Sequence, residues 1–367
     1  MSDIEPFGKY FLPGPTEVDH DVLRAMARPV MGHRSPEISR LMKRLQGGLS
    51  ELFVTERPVF VSTSSATGMM EAAITNLTRR RVLCLSCGAF SHRFYDIAKA
   101  TGRPADLLEA AWGKPNRPEA LRKELAANPG KYDLVTVVHS ESSTGVLNPL
   151  ADIAAVVQEF DDVLLAVDTV SSLAGAPVLT DEWKLDFVLT GSQKALAIPP
   201  GLAFAVASER AIARAEEVEH RGFYFDLLKF QKNLVHKWQT PNTPAVSFFF
   251  ALEAQLAKIR KEGLAARWAR HVSMAERTSR WVNEGNERKG RGLRVLAPDG
   301  YRSPCVTAIM LPPGLSGPEV VARAASRGFT VASGYGKLND MSFRIGHMGD
   351  HTIDELEELL SVLDEVL

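Results

Sequence analysis

From about residue 36 to residue 210 the chain alternates short, continuous runs of Val, Leu and Ala with segments of helical periodicity, and this alternation limits the possible folds more than any other feature. The extended runs are "RPVFVST", "RVLCLSCG", "YDLVTVVHS", "DVLLAVDTVSS", "LDFVLTGS" and "GLAFAVAS"; between them lie helical stretches such as "PEISRLMKRLQGGLSELF", "GMMEAAITNL", "SHRFYDIAKATG" and "LADIAAVVQEF". Strands with no polar alternation must be covered on both faces, which is the condition of a parallel sheet flanked by helices. The class is therefore α/β, with a large, mostly parallel-sheet domain.

After about residue 250 the pattern changes to one long helical stretch, "FFFALEAQLAKIRKEGLAARWARHVSMAERTSRWVNEG", then "CVTAIMLP", "GPEVVARAASRG", "FTVASG", "MSFRIGHMG" and a last helix. Thr352 and Glu355 form a capping box for that helix, and Ile353, Leu356, Leu359, Leu360 and Leu363 form its apolar stripe. The expected division is residues 1–250 for an N-terminal segment and the large domain, and 251–367 for a smaller C-terminal α+β domain.

A formal net charge of -1, from 43 basic and 44 acidic side chains, gives no electrostatic footprint for a nucleic acid. No apolar run is long enough to span a membrane, and the N-terminus "MSDIEPFGKYFLPGP" lacks the basic-then-apolar pattern of a signal peptide, so a cytoplasmic protein is expected. The three cysteines, Cys84, Cys87 and Cys305, cannot form a disulfide framework. Although Cys84 and Cys87 are spaced C-x-x-C, no second pair or His cluster accompanies them. They read as buried thiols, and no metal is expected.

Ligands of open parallel sheets sit at the carboxyl ends of the strands, so those ends carry the chemical argument. In "VFVSTSSATGMMEAA" a Ser/Thr turn opens a helix, either to cradle a phosphate on its N–H groups or as N-capping by Ser64, Ser65 or Thr67. Phe90 in "SCGAFSHRFYD" lies just past a strand end, where it either stacks on a flat ring or fills core. Ser142, Ser143 and Thr144 form a polar loop. Asp168 follows five apolar residues, so its carboxylate needs a cation or a turn N–H as partner. Lys194, 26 residues further on, sits in "LTGSQKALAIPPG" at the end of another apolar strand, either as a charge on a surface turn or as an amine whose pKa burial lowers so that it can form a Schiff base. A phosphate cradle, a stacking ring, a carboxylate for a pyridinium nitrogen and a nucleophilic lysine are the parts that pyridoxal phosphate requires.

"FLPGPTEV", "GHRSPE", "HSESSTGVLNPL", "VDTVSSLAG", "GSQKALAIPPG" and "FRIGHMG" together resemble the class V aminotransferase family, in its alanine–glyoxylate and serine–glyoxylate branch. The resemblance implies pyridoxal-phosphate fold type I and a homodimer with active sites shared across the interface. It implies that Lys194 holds the cofactor and moves the proton, that Asp168 pairs with the ring nitrogen, and that Phe90 stacks on the ring in a position often given to tryptophan. Ser142 would lie beside the ring; Ala66, Thr67 and Gln193 would bind the phosphate, with Asn242 and Thr243 in "WQTPNTPAV" reaching the partner's phosphate. Arg344 would grip the substrate carboxylate, and Gly14, His33 and Arg34 would line the substrate's approach.

Two details qualify the resemblance. Ser64, Ser65 and Ala66 stand where relatives usually carry glycines at the phosphate turn. Gln193 precedes the lysine where cysteine desulfurases of this fold usually have histidine, and Cys305 lies in a strand-like run, both pointing away from sulfur chemistry. The implied activity is transfer of an amino group from alanine or serine to glyoxylate or another small 2-oxo acid by a ping-pong mechanism. An ureido-amino acid or aspartate transaminase, a lyase on the same fold, and a catalytically silent scaffold are the alternatives.

Overall fold

The computed structural model describes residues 9–367; residues 1–8, part of the N-terminal stretch read for a signal peptide, lie outside the described residues. Seven strands make the central sheet: β1 (Val59–Ser62), β2 (Val82–Ser86), β3 (Ala105–Glu109), β4 (Leu134–Val138), β5 (Leu164–Asp168), β6 (Phe187–Gly191) and β7 (Ala203–Ala207). Across the sheet they run β1-β7-β6-β5-β4-β2-β3. Every neighbouring pair is parallel except those of β7, which is antiparallel to both β1 and β6. All residues of β1, β2 and β4–β7 are buried, as two covered faces require.

β3, "ADLLE", was not foreseen from the sequence. It is an edge strand, half exposed, and its mixed polar pattern does not read as a buried run. Asp106 on it accepts from Arg81 Nη1 and Tyr132 Oη and pairs with Lys131, so the edge is fixed by charge.

A second correction concerns the long helical stretch after residue 250, which is two helices, Val246–Glu262 and Leu264–Lys289. Gly263 breaks them with φ +85°, a conformation that a side-chain-bearing residue adopts at a cost. Beyond them lies an antiparallel four-stranded sheet, in the order Arg294–Val295, Val306–Met310, Ser342–Gly346, Ala332–Ser333. "FTVASG" supplies two short strands rather than one: Ala332–Ser333 joins this sheet, while Phe329–Thr330 pairs in parallel with Lys9–Tyr10. The last helix, Ile353–Val366, has its capping box, with Glu355 N–H donating to Thr352 Oγ1 at 3.3 Å and Thr352 N–H to Glu355 Oε2 at 2.8 Å. Leu356, Leu359, Leu360 and Leu363 are buried, but Ile353, in the first turn, is 38% exposed and falls outside the stripe.

The apolar interior separates accordingly. The larger core takes the seven-stranded sheet with the 36–53, 66–77 and 246–262 helices, and a second packs Trp281, Ile309, Phe343 and the last helix's leucines around Phe11. The three cysteines are buried, and burial pushes each thiol up to about 12, so none offers a thiolate at neutral pH.

Candidate active site

β6 ends at Gly191, and the next residues turn sharply back. Ser192 N–H bonds Leu202 O and its hydroxyl bonds Pro199 O, while Ala197 closes on Lys194 O at 2.8 Å with a left-handed φ of 56°. The N-terminal segment clamps this turn from the other side: Thr16 N–H donates to Gln193 O at 3.1 Å and Thr16 Oγ1 to Lys194 O at 3.2 Å. Lys194 is thereby fixed at its backbone and aimed inward, where Nζ donates to Pro13 O. Gly14 adjoins the lysine so closely that a Cβ there would stand 2.4 Å from Lys194 Cδ and 2.6 Å from Nζ. Burial first, and then Arg344, lowers the amine to about 8, with Asp168 opposing.

Asp168 is the last residue of β5, the strand beside β6. The turn partner considered from the sequence is present, since Val170 N–H donates to Asp168 Oδ1 at 2.7 Å. Among the described residues the carboxylate makes no other hydrogen bond and no ion pair within 4 Å; burial raises it to about 6. A buried acceptor with so little donation is suited to a cationic N–H.

The 66–77 helix begins beside these strand ends. Ser65 occupies the N-cap position without a side-chain cap bond, and Ser64 bonds Ser62 instead, so N-capping by these hydroxyls does not account for the serine turn. Its positive end is left open to the pocket. Ser65, Ala66, Thr67, Phe90, Ser142, Asp168, Gln193 and Lys194 line one pocket of about 130 Å³. Within it Ser142 Oγ donates to Ser171 Oγ at 2.6 Å, which holds the polar loop against the turn after β5.

Arg344 comes from the C-terminal unit and is 8% exposed. Nε donates to Ser333 O at 3.0 Å and Nη1 to Ser142 O at 3.1 Å, so two carbonyls set the plane of the guanidinium. No carboxylate among the described residues pairs with it, and burial lowers it to about 10. Such a fork, oriented but unpaired, is built to receive an anion.

The structure does not bring every anticipated residue into this pocket. Asn242 and Thr243 line a neighbouring depression with Thr63 and Tyr224. The Ala245 N–H bond to Thr63 Oγ1 and the Asn242 Nδ2 bond to Tyr224 O tie that segment down. His33 is outside the pocket's lining, next to Arg34, whose Nη1 and Nη2 donate to Thr240 O and Pro241 O.

Three residues escaped the sequence reading. Arg93 lines the pocket, lies 5.0 Å over the Phe90 ring and reaches Thr67 Oγ1 at 3.5 Å. Its position three residues after Phe90 on a helix is the signal that could have found it. Tyr335 sets its ring 5.0 Å from that of Phe90 and 5.5 Å from the Arg344 guanidinium. Glu141, an acidic residue in a serine loop, is fully buried.

Taken together, a nucleophilic amine, an under-donated carboxylate at the adjacent strand end, an aromatic wall and an uncapped helix N-terminus fit pyridoxal phosphate, and the fold is that of the fold type I enzymes. The family profile "Aminotransferase class-V" matches residues 15–291, and the chain belongs to that family of pyridoxal-phosphate-dependent aminotransferases. An uncharacterized aminotransferase of Methanocaldococcus jannaschii is 39% identical over 345 residues, covering 92% of this chain and 87% of that one. The serine–glyoxylate aminotransferase of Arabidopsis thaliana is 33% identical, with 95% and 87% covered. The crystal structure of an alanine–glyoxylate aminotransferase from Nostoc sp. superposes with a TM-score of 0.92 at 30% identity, covering 100% of this chain and 97% of that one.

Proposed function

We propose that this aminotransferase moves the amino group of alanine or serine to glyoxylate or another small 2-oxo acid, in a ping-pong cycle, as a homodimer. The observation that carries the reading is the Arg344 guanidinium, buried, held by two carbonyls and without a carboxylate partner among the described residues, close enough to the Lys194 amine to lower it. Such a pair suits a substrate with one carboxylate and one amino or oxo group. The Tyr335 ring borders Arg344 and packs against Phe90, which favours a small side chain. The names of the Arabidopsis and Nostoc relatives point to the same donors and to glyoxylate.

Pyridoxal phosphate, when bound, supplies a ring that withdraws electrons from the Cα–H bond of the amino acid. The chain's own residues do the rest. Arg344 binds the substrate carboxylate and so orients Cα toward Lys194. Lys194 Nζ, with its amine lowered to about 8, takes the proton from Cα and returns it to the carbon that becomes aminated. Asp168 keeps a proton on the ring nitrogen, Phe90 holds the ring face, and the open N-terminus of the 66–77 helix with Thr67 and Gln193 anchors the phosphate. Asn242 and Thr243 serve the partner's pocket, a role supported by their lining a depression separate from their own pocket.

A panel of amino donors offered with glyoxylate, pyruvate and 2-oxoglutarate tests the assignment, with the amino acid products separated and quantified. Alanine or serine paired with glyoxylate should give the highest kcat/KM; a clear preference for a dicarboxylic donor would overturn it.

A further inference from the structure

We propose that the carboxylate of Glu141 is a positioning residue, fixing the ring-stacking wall and the carboxylate-binding wall of the pocket as one unit. Glu141 lies just beyond β4 and is 0% exposed. Oε1 accepts from Phe90 N–H at 3.3 Å, Ser143 N–H at 3.1 Å and Ser143 Oγ at 2.6 Å; Oε2 accepts from Ser91 N–H and Ser91 Oγ, both at 2.8 Å. Phe90 and Ser91 belong to the first turn of the 89–100 helix, where a carboxylate meets the positive end of the dipole as well as the N–H groups. Ser143 Oγ in turn accepts from Ala89 N–H at 3.0 Å, closing the connection between helix and loop.

That loop is the one Arg344 holds, through Ser142 O. The chain of contacts therefore runs from Phe90 through Glu141 to the 142–143 backbone and on to the guanidinium. Gly88 makes this closeness possible, because a Cβ there would come within 2.4 Å of Ser143 Oγ and 2.6 Å of Glu141 Cδ. Among the described residues no cation pairs with Glu141 directly. Its charge instead reaches the pocket, where Asp168, Lys194, Arg93 and Arg344 are the charged groups; it helps raise Asp168 and Arg344, and it raises the neighbouring Cys87 thiol. Glutamate is required because both oxygens must accept. Glutamine would turn an NH2 donor toward N–H and O–H donors on one side.

The inference rests on the roles given to Phe90 and Arg344, so Arg344→Gln is measured alongside Glu141→Gln and Ser143→Ala. For Glu141→Gln the dissociation constant for pyridoxal phosphate, titrated by absorbance, should rise about tenfold, and KM for the amino donor about fivefold with a smaller change in kcat. The pH midpoint of the bound cofactor's visible absorbance should move down by roughly half a unit, because a negative charge that favours protons in the pocket is gone. Ser143→Ala, which keeps the carboxylate and removes one donor, should move affinity and KM in the same direction by about twofold. Loss of thermal stability in both variants with unchanged affinity, KM and midpoint would make Glu141 a purely structural residue and overturn the proposal. If Arg344→Gln leaves the donor KM unchanged, the site reading itself fails; if it raises KM while the Glu141 and Ser143 variants do not, only this inference fails.

Discussion

The strand-end pocket and the rim formed by residues 224–244 are built in opposite ways. Asp168 and Arg344 are buried and Lys194 is partly so, each positioned by backbone bonds and by its place at a strand end or on a strand. Asn242 is half-buried, and Thr243 and Tyr224 are exposed; the segment is held mainly through its backbone carbonyls, with Asn242 Nδ2 donating to Tyr224 O and Arg34 to Thr240 O and Pro241 O. The first set is complete within one chain, because the sheet fixes it. The second lies beside that pocket and is the set proposed to act against another surface. Nearby Phe223, 78% exposed, is the kind of apolar side chain that such a surface would cover.

Breaking the pocket should cost most. Lys194→Ala removes the proton-transfer group and should lower turnover by about a thousandfold or more, measured in single-turnover assays with saturating cofactor. Gly14→Ala attacks the same lysine from outside: the added Cβ would overlap its buried side chain, and φ +97° at this position disfavours any side chain. A shift of the reacting amine by about an ångström costs on the order of a hundredfold, so kcat should fall by about that factor with the protein still folded by circular dichroism.

The next effect is one of pH. Burial holds Lys194 at about 8 in the cofactor-free protein, whereas an unfolded lysine stays near its ordinary value of 10.5. A lowered amine pKa gives a contribution to stability that is present above 10.5 and lost as pH falls through 8. At pH 7 the buried ammonium therefore costs up to about 3 kcal/mol. Lys194→Met removes that cost, so the cofactor-free variant should melt above the cofactor-free parent at pH 7, by a margin that narrows as pH approaches 10. Uptake of pyridoxal phosphate by the parent should accelerate with pH and level off above about 8, since only the neutral amine attacks the aldehyde. A rate still climbing at pH 10 would place Lys194 in water.

Most of the sheet and the strand-end residues could be read from the sequence because both depend on local pattern. A continuous apolar run followed by Asp168, or by Gly191-Ser192-Gln193-Lys194, states burial and exit in consecutive residues. β3 could not be read, since its stability comes from Asp106 meeting Arg81, Lys131 and Tyr132 across the edge. The break at Gly263 was hidden because apolar spacing continues through it. Glu141 gave no sign of its place, for besides Ser143 its donors are Phe90 and Ser91, some 50 positions earlier. The rim was placed by resemblance alone; its own polarity describes a loop.

The smallest predicted effect tests the rim, and with it the difference between the two regions. Thr243→Val deletes one hydroxyl at an exposed position, so the fold should be untouched and the cofactor's dissociation constant should rise by only about three- to tenfold, the worth of one ordinary hydrogen bond. The informative form is a mixed dimer of one Lys194→Ala chain and one Thr243→Val chain. If Thr243 serves the partner's pocket, the one pocket that retains Lys194 receives its threonine from the Lys194→Ala chain and binds cofactor with parental affinity. If Thr243 serves its own pocket, that same site carries the defect. Parental affinity in the mixed dimer, against weakened affinity in the Thr243→Val homodimer, is the expected result. The reverse would return the rim to the chain that bears it and remove the contrast between a self-contained pocket and a borrowed edge.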